Sequence, residues 1–484
     1  MTAAPAGAAK ADRLSTPVIF AFASAGIPGA MLALILGTYM PRFYAGQMAD
    51  AYGNAALALT AVAGAIATVR LIDIGFDLMI GLGMDKTKTR WGRYRVWYAA
   101  GMPILWLAIY KILNPPADVT TGYLIVWLLV LYTGTSITSL SHSAWAAAIA
   151  TGYNERSRVY GWMQGVAVVG SVTLLLMPLL TQGAIQPGKG DSMKAIGWII
   201  ICLMPITAAL SIFFAPERSS METPEPARLK DYLSVFTQPS MVRLVIADLF
   251  LVLGPGTTSP LYIFFFHDAK GFPISQVSFL LIPYIGAGLI GAPVWANIAQ
   301  KFGKHRTLQF ATVAYAIAQT ILMIMPAKAF AITAVGMFGV GFCASAFTLL
   351  VRAMVADVGD EILLKTGKNQ TGLLYALVTM TQKFGSSITV ALVFPILAAV
   401  GYQPGEEAVN TQQAIFGLEM CYLFAPIILV LVGGACFFGY KLDGDRHASI
   451  REELDRRDAA QTEAQEAEPL TQMGVGPEST TPIR

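Results

Sequence analysis

Charged side chains are scarce in this sequence. Of its 484 residues, 13% are Asp, Glu, Lys or Arg and 55% are hydrophobic, whereas soluble domains contain about 25% charged residues. A water-soluble chain of this length could not bury so much apolar surface in its cores. The scarcity excludes an ordinary soluble protein, and the formal net charge of +3 is too small to indicate a nucleic-acid partner.

Cysteine is also rare, and its placement excludes two kinds of site. Each cysteine lies in an apolar stretch, without a CxxC pair or a neighbouring histidine. Disulfide frameworks and zinc sites need paired cysteines at short, regular spacings. We therefore expect no disulfide, no metal site built on thiols and no other cofactor. The four residues are expected to be buried, unreactive thiols: Cys202, Cys343, Cys421 and Cys436.

Long apolar runs, by contrast, are plentiful. A bilayer core requires roughly 20 mostly apolar residues per helix, and the sequence contains six such runs, a polar Pro-rich linker and six more. The candidate spans are 17–40, 57–82, 96–113, 122–150, 159–181, 194–215, 243–266, 276–299, 307–326, 329–356, 371–400 and 414–440. We predict an all-α polytopic membrane protein of twelve transmembrane helices in two pseudo-symmetric six-helix halves.

The predicted domains follow from this division. They are an N-terminal tail over residues 1–16, a six-helix bundle over 17–215, a linker over 216–242, a second six-helix bundle over 243–442, and a C-terminal tail over 443–484. The last 38 residues contain no Phe, Trp or Tyr, so they lack the large apolar side chains of a packed core. We predict a short amphipathic piece followed by a disordered remainder.

Lysine and arginine predict the orientation. The intervals on the side of both termini hold sixteen Lys and Arg residues, and the intervals on the opposite side hold six. Because cytoplasmic loops carry the excess of basic residues, both termini are predicted to be cytoplasmic. We expect a monomeric, multi-pass protein of the plasma membrane, specifically a bacterial inner membrane.

Three ionisable residues lie within the second span. Each costs at least ~2.5–3.5 kcal/mol at a helix centre, yet Arg70, Asp73 and Asp77 are spaced so that all three share one helix face. That face must point into the protein. Two carboxylates one turn apart suit Na⁺, or a like-charge pair that holds a proton. Arg70 leaves a second interpretation open, because it could neutralise Asp73 within a structural ion network.

Lys383 lies too deep in the span 371–400 to reach the membrane surface easily. A buried lysine needs a carboxylate partner. Asp73 or Asp77 could supply one across the two halves, and so could a nearer acid in span ten, and the sequence favours neither. Asp248 is a further acidic residue inside a span.

Span four carries a dense run of hydroxyl side chains in TSITSLSHSAW. Such a run indicates a face toward a wet cavity, although Ser and Thr also join membrane helices to one another. His142 within it could be a hydrogen-bonded core residue or a proton relay. Trp145, one turn later, could stack on a ligand or pack in the core.

Spans one and seven carry glycine and proline at corresponding places. Paired interruptions of this kind point to a midplane substrate site between two repeats, although both residues are common in membrane helices. The residues are Gly26, Pro28 and Gly29 in span one and Gly254, Pro255, Gly256 and Pro260 in span seven.

The stretch DIGFDLMIGLGMDKTKTRWGRYR, from Asp73 to Arg95, closely resembles the hallmark motif of the glycoside–pentoside–hexuronide:cation symporters. These are the melibiose-permease-like branch of the major facilitator superfamily. A second stretch, VADVGDEILLKTGKNQTGLLYALVTMTQKFGSS, resembles the same family between spans ten and eleven. The resemblance implies the major facilitator fold, alternating access and cation-coupled uptake of a small solute, by default a sugar or glycoside.

The resemblance also implies roles for single residues. Asp73 and Asp77 match the acidic cation ligands, Thr138 matches a hydroxyl ligand in span four, and Lys383 matches a lysine that faces the site. Arg70 joins Lys383 in the expected charge network. Asp85, Arg90 and Arg93 lie in the basic loop, which would latch the cytoplasmic face together with residues 300–306.

Several positions depart from the family pattern. Phe76 stands where sodium-using relatives have an Asn ligand, which favours H⁺ over Na⁺ at Asp73 and Asp77. Ala30 and Ser141 stand where the melibiose-type permeases hold sugar with aspartates, and Gln164 lies beside the position of an expected arginine. These departures open an alternative, a carrier of amphipathic or organic-anion solutes.

The candidate substrate-cavity residues are polar or aromatic side chains expected near the bilayer midplane. They are Trp145, Ser141, His142, Gln164 and Asp248. No set of nucleophile and base is present, so we expect no enzyme. A protein of another class, a non-transporting membrane sensor or assembly protein, would tolerate the loss of its intramembrane charges.

Overall fold

A computed structural model of the protein describes residues 14–52, 55–87, 89–116, 118–149, 153–187, 190–216, 238–367, 371–405 and 408–467. Helices make up nearly all of the described part of the first half. They are α1 Thr16–Ala23, α2 Gly26–Leu34, α3 Met40–Tyr52, α4 Ala55–Lys86, α5 Tyr94–Leu113, α6 Thr121–Ile149, α7 Tyr153–Leu175, α8 Met177–Leu180 and α9 Gly190–Phe214.

The second half is built in the same way. Its helices are α10 Pro239–Ile263, α11 Ile274–Phe302, α12 Lys304–Ile324, α13 Phe330–Thr366, α14 Thr371–Ala399 and α15 Gln412–Ala435, and a further helix, α16 Gly444–Ala467, follows them. Residues 1–13 of the predicted N-terminal tail and residues 217–237 of the predicted linker lie outside the described residues, so those boundaries stay predictions.

Within the described residues, eleven helical segments are long and apolar enough to cross a membrane. The predicted fifth span corresponds to α7, whose first turn carries Asn154, Glu155 and Arg156 and is therefore less apolar. The all-α polytopic fold is confirmed. Large apolar side chains such as Phe213 and Ile324 lie exposed on the outer surface, as expected where lipid is the solvent. Cys202 is exposed there too, contrary to the expectation of a buried thiol.

Span one is bent at the predicted Gly and Pro positions. Pro28 has no backbone N–H, and the N–H of Ile27 donates instead to the carbonyl of Ser24 at 3.0 Å, between α1 and α2. Spans one and seven each end in a wider π-helical turn, Ile35–Tyr39 and Phe264–Ala269. The two halves therefore share an irregularity in corresponding helices.

Packing around the centre places five elements against one another. Helix α4 packs on α6 within the first half and on α14 of the second half, while α10 packs on α14 and α15. Close backbone approaches at glycine fix further pairs of helices. A Cβ atom on Gly170 would lie 2.4 Å from the carbonyl oxygen of Ile27, and one on Gly341 would lie 2.3 Å from that of Tyr284.

Helix α16 follows the last span and lies against α13. His447 Nε2 is 3.0 Å from Asp360 Oδ2, and Arg451 Nη1 is 3.4 Å from Asp360 Oδ1. The helix is longer than the short amphipathic piece expected from the sequence. The remainder of the predicted tail, residues 468–484, lies outside the described residues.

Candidate cation and solute site

A central cavity of about 680 Å³ lies between the two halves, within the range of about 300–1,000 Å³ that is usual for ligand pockets. Its walls come from span one and from α4, α5, α6, α7, α9, α10 and α14. The irregular positions of spans one and seven contribute directly: Gly26, Pro28, Gly29, Gly256 and Pro260. The predicted link between paired Gly/Pro positions and a central site is consistent with this geometry.

Asp73 lies on the cavity wall and is buried, with 5% of its surface exposed. Its Oδ1 accepts a hydrogen bond of 3.0 Å from the hydroxyl of Ser136 on α6. A buried carboxylate needs more than one neutral donor to offset its loss of hydration. The site therefore favours the binding of a cation or a proton at Asp73.

Asp77, one turn further along α4, forms an ion pair with Lys383 of α14. This pair joins the two halves. The second carboxylate oxygen of Asp77, Oδ1, is buried and has no hydrogen-bond partner among the described residues. Of the two kinds of partner that the sequence left open for Lys383, the acid across the interface is the one found.

Arg70 lies on the same wall as Asp73 and Lys383. Its guanidinium carbon is 3.9 Å from the centre of the Tyr132 ring, a stacked cation–π arrangement. Among the described residues it forms no ion pair with Asp73, and its buried Nε has no hydrogen-bond partner. Arg70 and Lys383 nevertheless both lie within electrostatic range of Asp73, so the charge network of these residues stays a prediction.

Phe76 and Thr138, the other two residues that the sequence connects with the cation site, face different surroundings. Phe76 packs beside the apolar cluster of Ile80, Met84 and Ile137 and offers no oxygen. Thr138 lines the cavity, but its hydroxyl donates to the carbonyl of Gly134 in its own helix at 2.9 Å. The hydroxyl that reaches the carboxylate of Asp73 comes from Ser136, a residue that the sequence placed only within the polar run.

His142 lines the cavity, whereas Ser141 does not. The Nε2 atom of His142 is 3.0 Å from the carbonyl oxygen of Phe22, and the two rings stack with their centres 4.2 Å apart. Ser141 is fully buried and donates to the carbonyl of Ile137 at 2.6 Å. His142 thus matches the hydrogen-bonded core residue, one of the two interpretations of the sequence, while also forming part of the wall.

Trp145 is fully buried away from the cavity walls. Its Nε1 donates to the carbonyl of Pro216 at 3.1 Å, and its ring meets those of Phe22 and Tyr98 edge-on. Arg95 lies over its face, 5.4 Å from the ring centre. The expected place beside a solute is therefore corrected to a place in an aromatic cluster, because packing rather than ligand contact satisfies this ring.

Gln164 and Asp248, the other two expected cavity residues, also lie off its walls. Gln164, on α7, is exposed. Asp248 is 1% exposed within α10, its Oδ2 lacks a hydrogen-bond partner in the described part of the chain, and Gln382 and Arg352 are its polar neighbours. Sequence spacing could place these residues in spans but could not give the rotation of each helix.

Polar contacts between the halves close the cavity at the ends of spans one and seven. Arg42 forms an ion pair with Asp268 at 3.0 Å, and Tyr402 donates to the same carboxylate. Burial raises the pKa of Tyr402, so the phenol keeps the proton that it donates. The hydroxyls of Thr38 and Ser259 lie 3.1 Å apart. Sequence reasoning missed this seal, because its residues lie far apart in the sequence and share no spacing that would connect them.

The expected cytoplasmic gate is described only in part. Arg90 is exposed, Arg93 lies over the ring of Tyr94 at 4.7 Å, and the side chain of Asp85 lies outside the described part. In the second basic loop, Lys304 forms an ion pair of 2.6 Å with Asp357 within its own half. The latch between these loops stays a prediction.

Known transporters are similar to this chain in sequence and in fold. A family model described as MFS/sugar transport protein matches residues 21–444. The isoprimeverose transporter of Lactiplantibacillus pentosus is 24% identical over 436 residues, which cover 84% of this chain and 85% of that protein. The sodium-dependent lysophosphatidylcholine symporter 1-B of Danio rerio is 22% identical over 448 residues, covering 80% and 81%. The structure of the nucleoside transporter NupG aligns with a TM-score of 0.66 at 12% identity, covering 87% of this chain and 99% of that one.

Proposed function

Because this chain belongs to the MFS/sugar transport family, whose members are transporters rather than enzymes, we propose that it is a proton-coupled symporter of a small solute. One observation carries the proposal: Asp73 and the Asp77–Lys383 ion pair lie together at the interface between the halves. By the name of its relative the isoprimeverose transporter, a sugar or glycoside is the default solute. The protein acts as a monomer in the plasma membrane, with both termini cytoplasmic.

Proton binding would act on the relative position of the halves. A proton on Asp77 removes the charge that holds Lys383 of the opposite half, and a proton on Asp73 removes the cost of a buried charge. Each step changes the free-energy difference between the inward- and outward-open states. A ligand that binds the two states unequally shifts their populations, which is the requirement for coupling.

The oxygen ligands around the site favour a proton over Na⁺. A dehydrated metal ion needs a shell of oxygen ligands in place of water. Here Phe76 stands at the position of an Asn ligand in sodium-using relatives and supplies no oxygen. Na⁺ at Asp73 and Asp77 is the alternative. Replacing external Na⁺ by choline in the transport assay tests for it.

The position of the closed end of the cavity supports the proposal that this structure is in an inward-facing state. The seal of Arg42 and Asp268 lies at the end opposite the basic loops, while the walls extend to Tyr98 and His142, near the ends of α5 and α6 that those loops adjoin. With basic loops on the cytoplasmic side, the sealed end is extracellular. The cavity then opens toward the cytoplasm.

The test is solute-driven proton uptake into sealed vesicles that contain the purified protein. Sugars, glycosides and organic anions are added in turn, with choline or Na⁺ as the external cation. We expect proton uptake with at least one solute and no dependence on Na⁺. Asp77→Asn should lose solute accumulation and proton uptake, because its side chain can no longer be charged, while retaining downhill exchange of the solute.

Asp455→Asn is the matched control, because it makes the same chemical change at a carboxylate that is 70% exposed on α16. It should behave as the wild type. Full solute-driven proton flux in Asp77→Asn would disprove the coupling assignment. Uptake that requires Na⁺ without proton movement would replace the proton by sodium, and tolerance of every intramembrane charge change would favour a sensor.

A further inference from the structure

The walls of the central cavity are poor in the side chains that hold neutral sugars. Among the described lining residues, Arg70, Asp73 and Lys383 carry charge, and none is Asn, Gln, Glu or Trp. Ala30, at a position where an acid was expected, lies on the wall with Ala33 and other apolar side chains. A neutral sugar would meet hydroxyl side chains here, but no amide group and only the carboxylate of Asp73 among the described lining residues could pair with two of its hydroxyls at once.

The hydroxyl side chains on the wall are mostly committed as donors. Thr135 donates to the carbonyl of Leu131 at 2.8 Å, Ser136 donates to Asp73, and Thr138 donates to Gly134. A hydroxyl has a single proton to donate. These three groups can therefore accept a hydrogen bond from a solute but offer it little in return, and the charged donors among the described lining residues are Arg70 and Lys383.

The balance of charge on the wall depends on Asp73. Lys383 is paired with Asp77, so the charges that remain on the wall are those of Arg70 and Asp73. Arg70 lies within electrostatic range of Asp73 without an ion pair, and its Nε lacks a hydrogen-bond partner among the described residues. When Asp73 takes up a proton, the positive charge of Arg70 is left without a counterion.

We propose that the solute carries a single anionic group that binds the guanidinium of Arg70, and that a proton on Asp73 is what allows it to bind. The inference rests on the proposed function and specifies its substrate class. Arginine presents several N–H donors in a planar fork that matches a carboxylate. The groups facing Asp73 are Arg70 and Asp77 of its own helix, Ser136 of α6 and Lys383 of α14, and none of these supplies a second free anion.

The neutral part of the solute packs on the apolar part of the wall. Ala30, Ala33 and Leu36 of span one, with Met102 and Leu105 of α5, form this part. Either an acidic sugar with an apolar substituent or an amphipathic acid could present such a body. Both kinds of solute offer the same anionic group. Comparing an acid of each kind with its neutral counterpart distinguishes the two kinds.

The test uses matched solutes with the wild-type protein in proton-tight vesicles. One pair is an aryl glucuronide and the corresponding aryl glucoside, and the second pair is an arylalkanoic acid and its amide. After subtraction of the proton uptake in protein-free vesicles, into which a protonated acid carries protons by itself, we expect the acid of at least one pair to drive proton uptake about tenfold or more faster than its neutral partner, since charge-assisted hydrogen bonds are the stronger ones. The pair that responds identifies the source.

The wild-type protein tests whether the solute is anionic. Proton uptake driven equally well or better by the neutral members would overturn it while leaving the proton-coupled symporter in place. Failure of the proposed function gives a different pattern, in which solutes equilibrate across the membrane without moving protons.

Variants locate the anionic group. Arg70→Gln should raise the half-saturating concentration of the acid about tenfold or more, and Arg70→Lys should retain part of the affinity because the charge remains. Arg456→Gln, the same change at a residue 68% exposed on α16, should leave it unchanged. An unaltered half-saturating concentration in Arg70→Gln rejects Arg70 as the anion site.

For Asp73→Asn, the proposal predicts that binding of the acidic solute is retained. Its neutral side chain imitates the protonated acid, so the variant should bind the acidic solute equally well at about pH 6 and about pH 8, where carboxylic acids are ionised. The wild type should bind the solute more weakly at the higher pH. Loss of binding by folded Asp73→Asn at both pH values would overturn the proposed dependence on the proton.

Discussion

At the scale of single residues, two hydroxyls of α6 that lie two positions apart face different partners. Ser136 donates to the carboxylate of Asp73, and Thr138 donates to the backbone of Gly134. Positions two apart on a helix point in different directions, so one hydroxyl reaches α4 while the methyl group of the other lies against Gly101 of α5. The charged form of Asp73 is stabilised by Ser136.

Replacing these two residues should separate their roles. Ser136→Ala removes a hydrogen bond to a charged group, worth about 1.5–3 kcal/mol, so the ionised state of Asp73 becomes less stable. We expect proton release, and with it the turnover of solute-driven uptake, to slow about tenfold or more. Thr138→Val should keep turnover near the wild-type value. Proton flux in the vesicle assay measures both, and equal effects would show that Thr138 contributes to the cation site as much as Ser136 does.

The sequence predicted the charged face of α4 better than it predicted the residues that this face contacts. Spacing alone placed Arg70, Asp73 and Asp77 on one face, and the high cost of a charge in lipid required that face to point inward. The choice of Asp77 for Lys383 could not be derived, because it depends on how α4 and α14 are rotated against each other. The position of Trp145 could not be derived for the same reason, because a tryptophan can pack in an aromatic core as readily as it can stack on a ligand.

At the scale of helices, glycine decides how closely some pairs approach. The backbone of Gly341 in α13 lies against that of Tyr284 in α11, and Gly170 in α7 lies against Ile27 in α2. Small residues allow such contacts in membranes, where helix association relies on close packing. The number of spans follows from hydropathy, but these contacts are not evident among 45 glycines, because glycine is common throughout membrane helices.

Gly341→Ala should therefore weaken the second half. Its Cβ would lie 2.3 Å from a backbone oxygen, so the helices must separate, at a cost of about 1–3 kcal/mol. Gly339→Ala is the control two residues away, where a Cβ meets nothing within 4 Å, and it should be neutral or stabilising by up to about 1 kcal/mol. Thermal unfolding in detergent compares the two. Equal melting temperatures would show that the contact between α11 and α13 is not tight.

At the scale of the whole molecule, contacts between the two halves lie at the centre and at one end, as one of the two states of the proposed transport cycle would require. The halves meet through the Asp77–Lys383 pair near the centre and through the seal formed by Arg42, Asp268 and Tyr402 at one end. Sequence predicted the pseudo-symmetric halves from their similar order of spans. It could not predict which end is closed, because both states satisfy the same hydropathy pattern and differ only in contacts between the halves.

A disulfide across the seal should stop the transport cycle. The hydroxyl oxygens of Thr38 and Ser259, which belong to opposite halves, are 3.1 Å apart, so cysteines there need only a small shift to reach the S–S distance of about 2.05 Å. Oxidised Thr38→Cys/Ser259→Cys should lose solute uptake because the sealed end cannot open. It should still bind solute from the opposite, open side, and reduction should restore uptake. Each single cysteine variant, oxidised in parallel, controls for side effects at the other thiols. Undiminished uptake by the fully cross-linked protein would mean that separation of spans one and seven at this end is not part of transport.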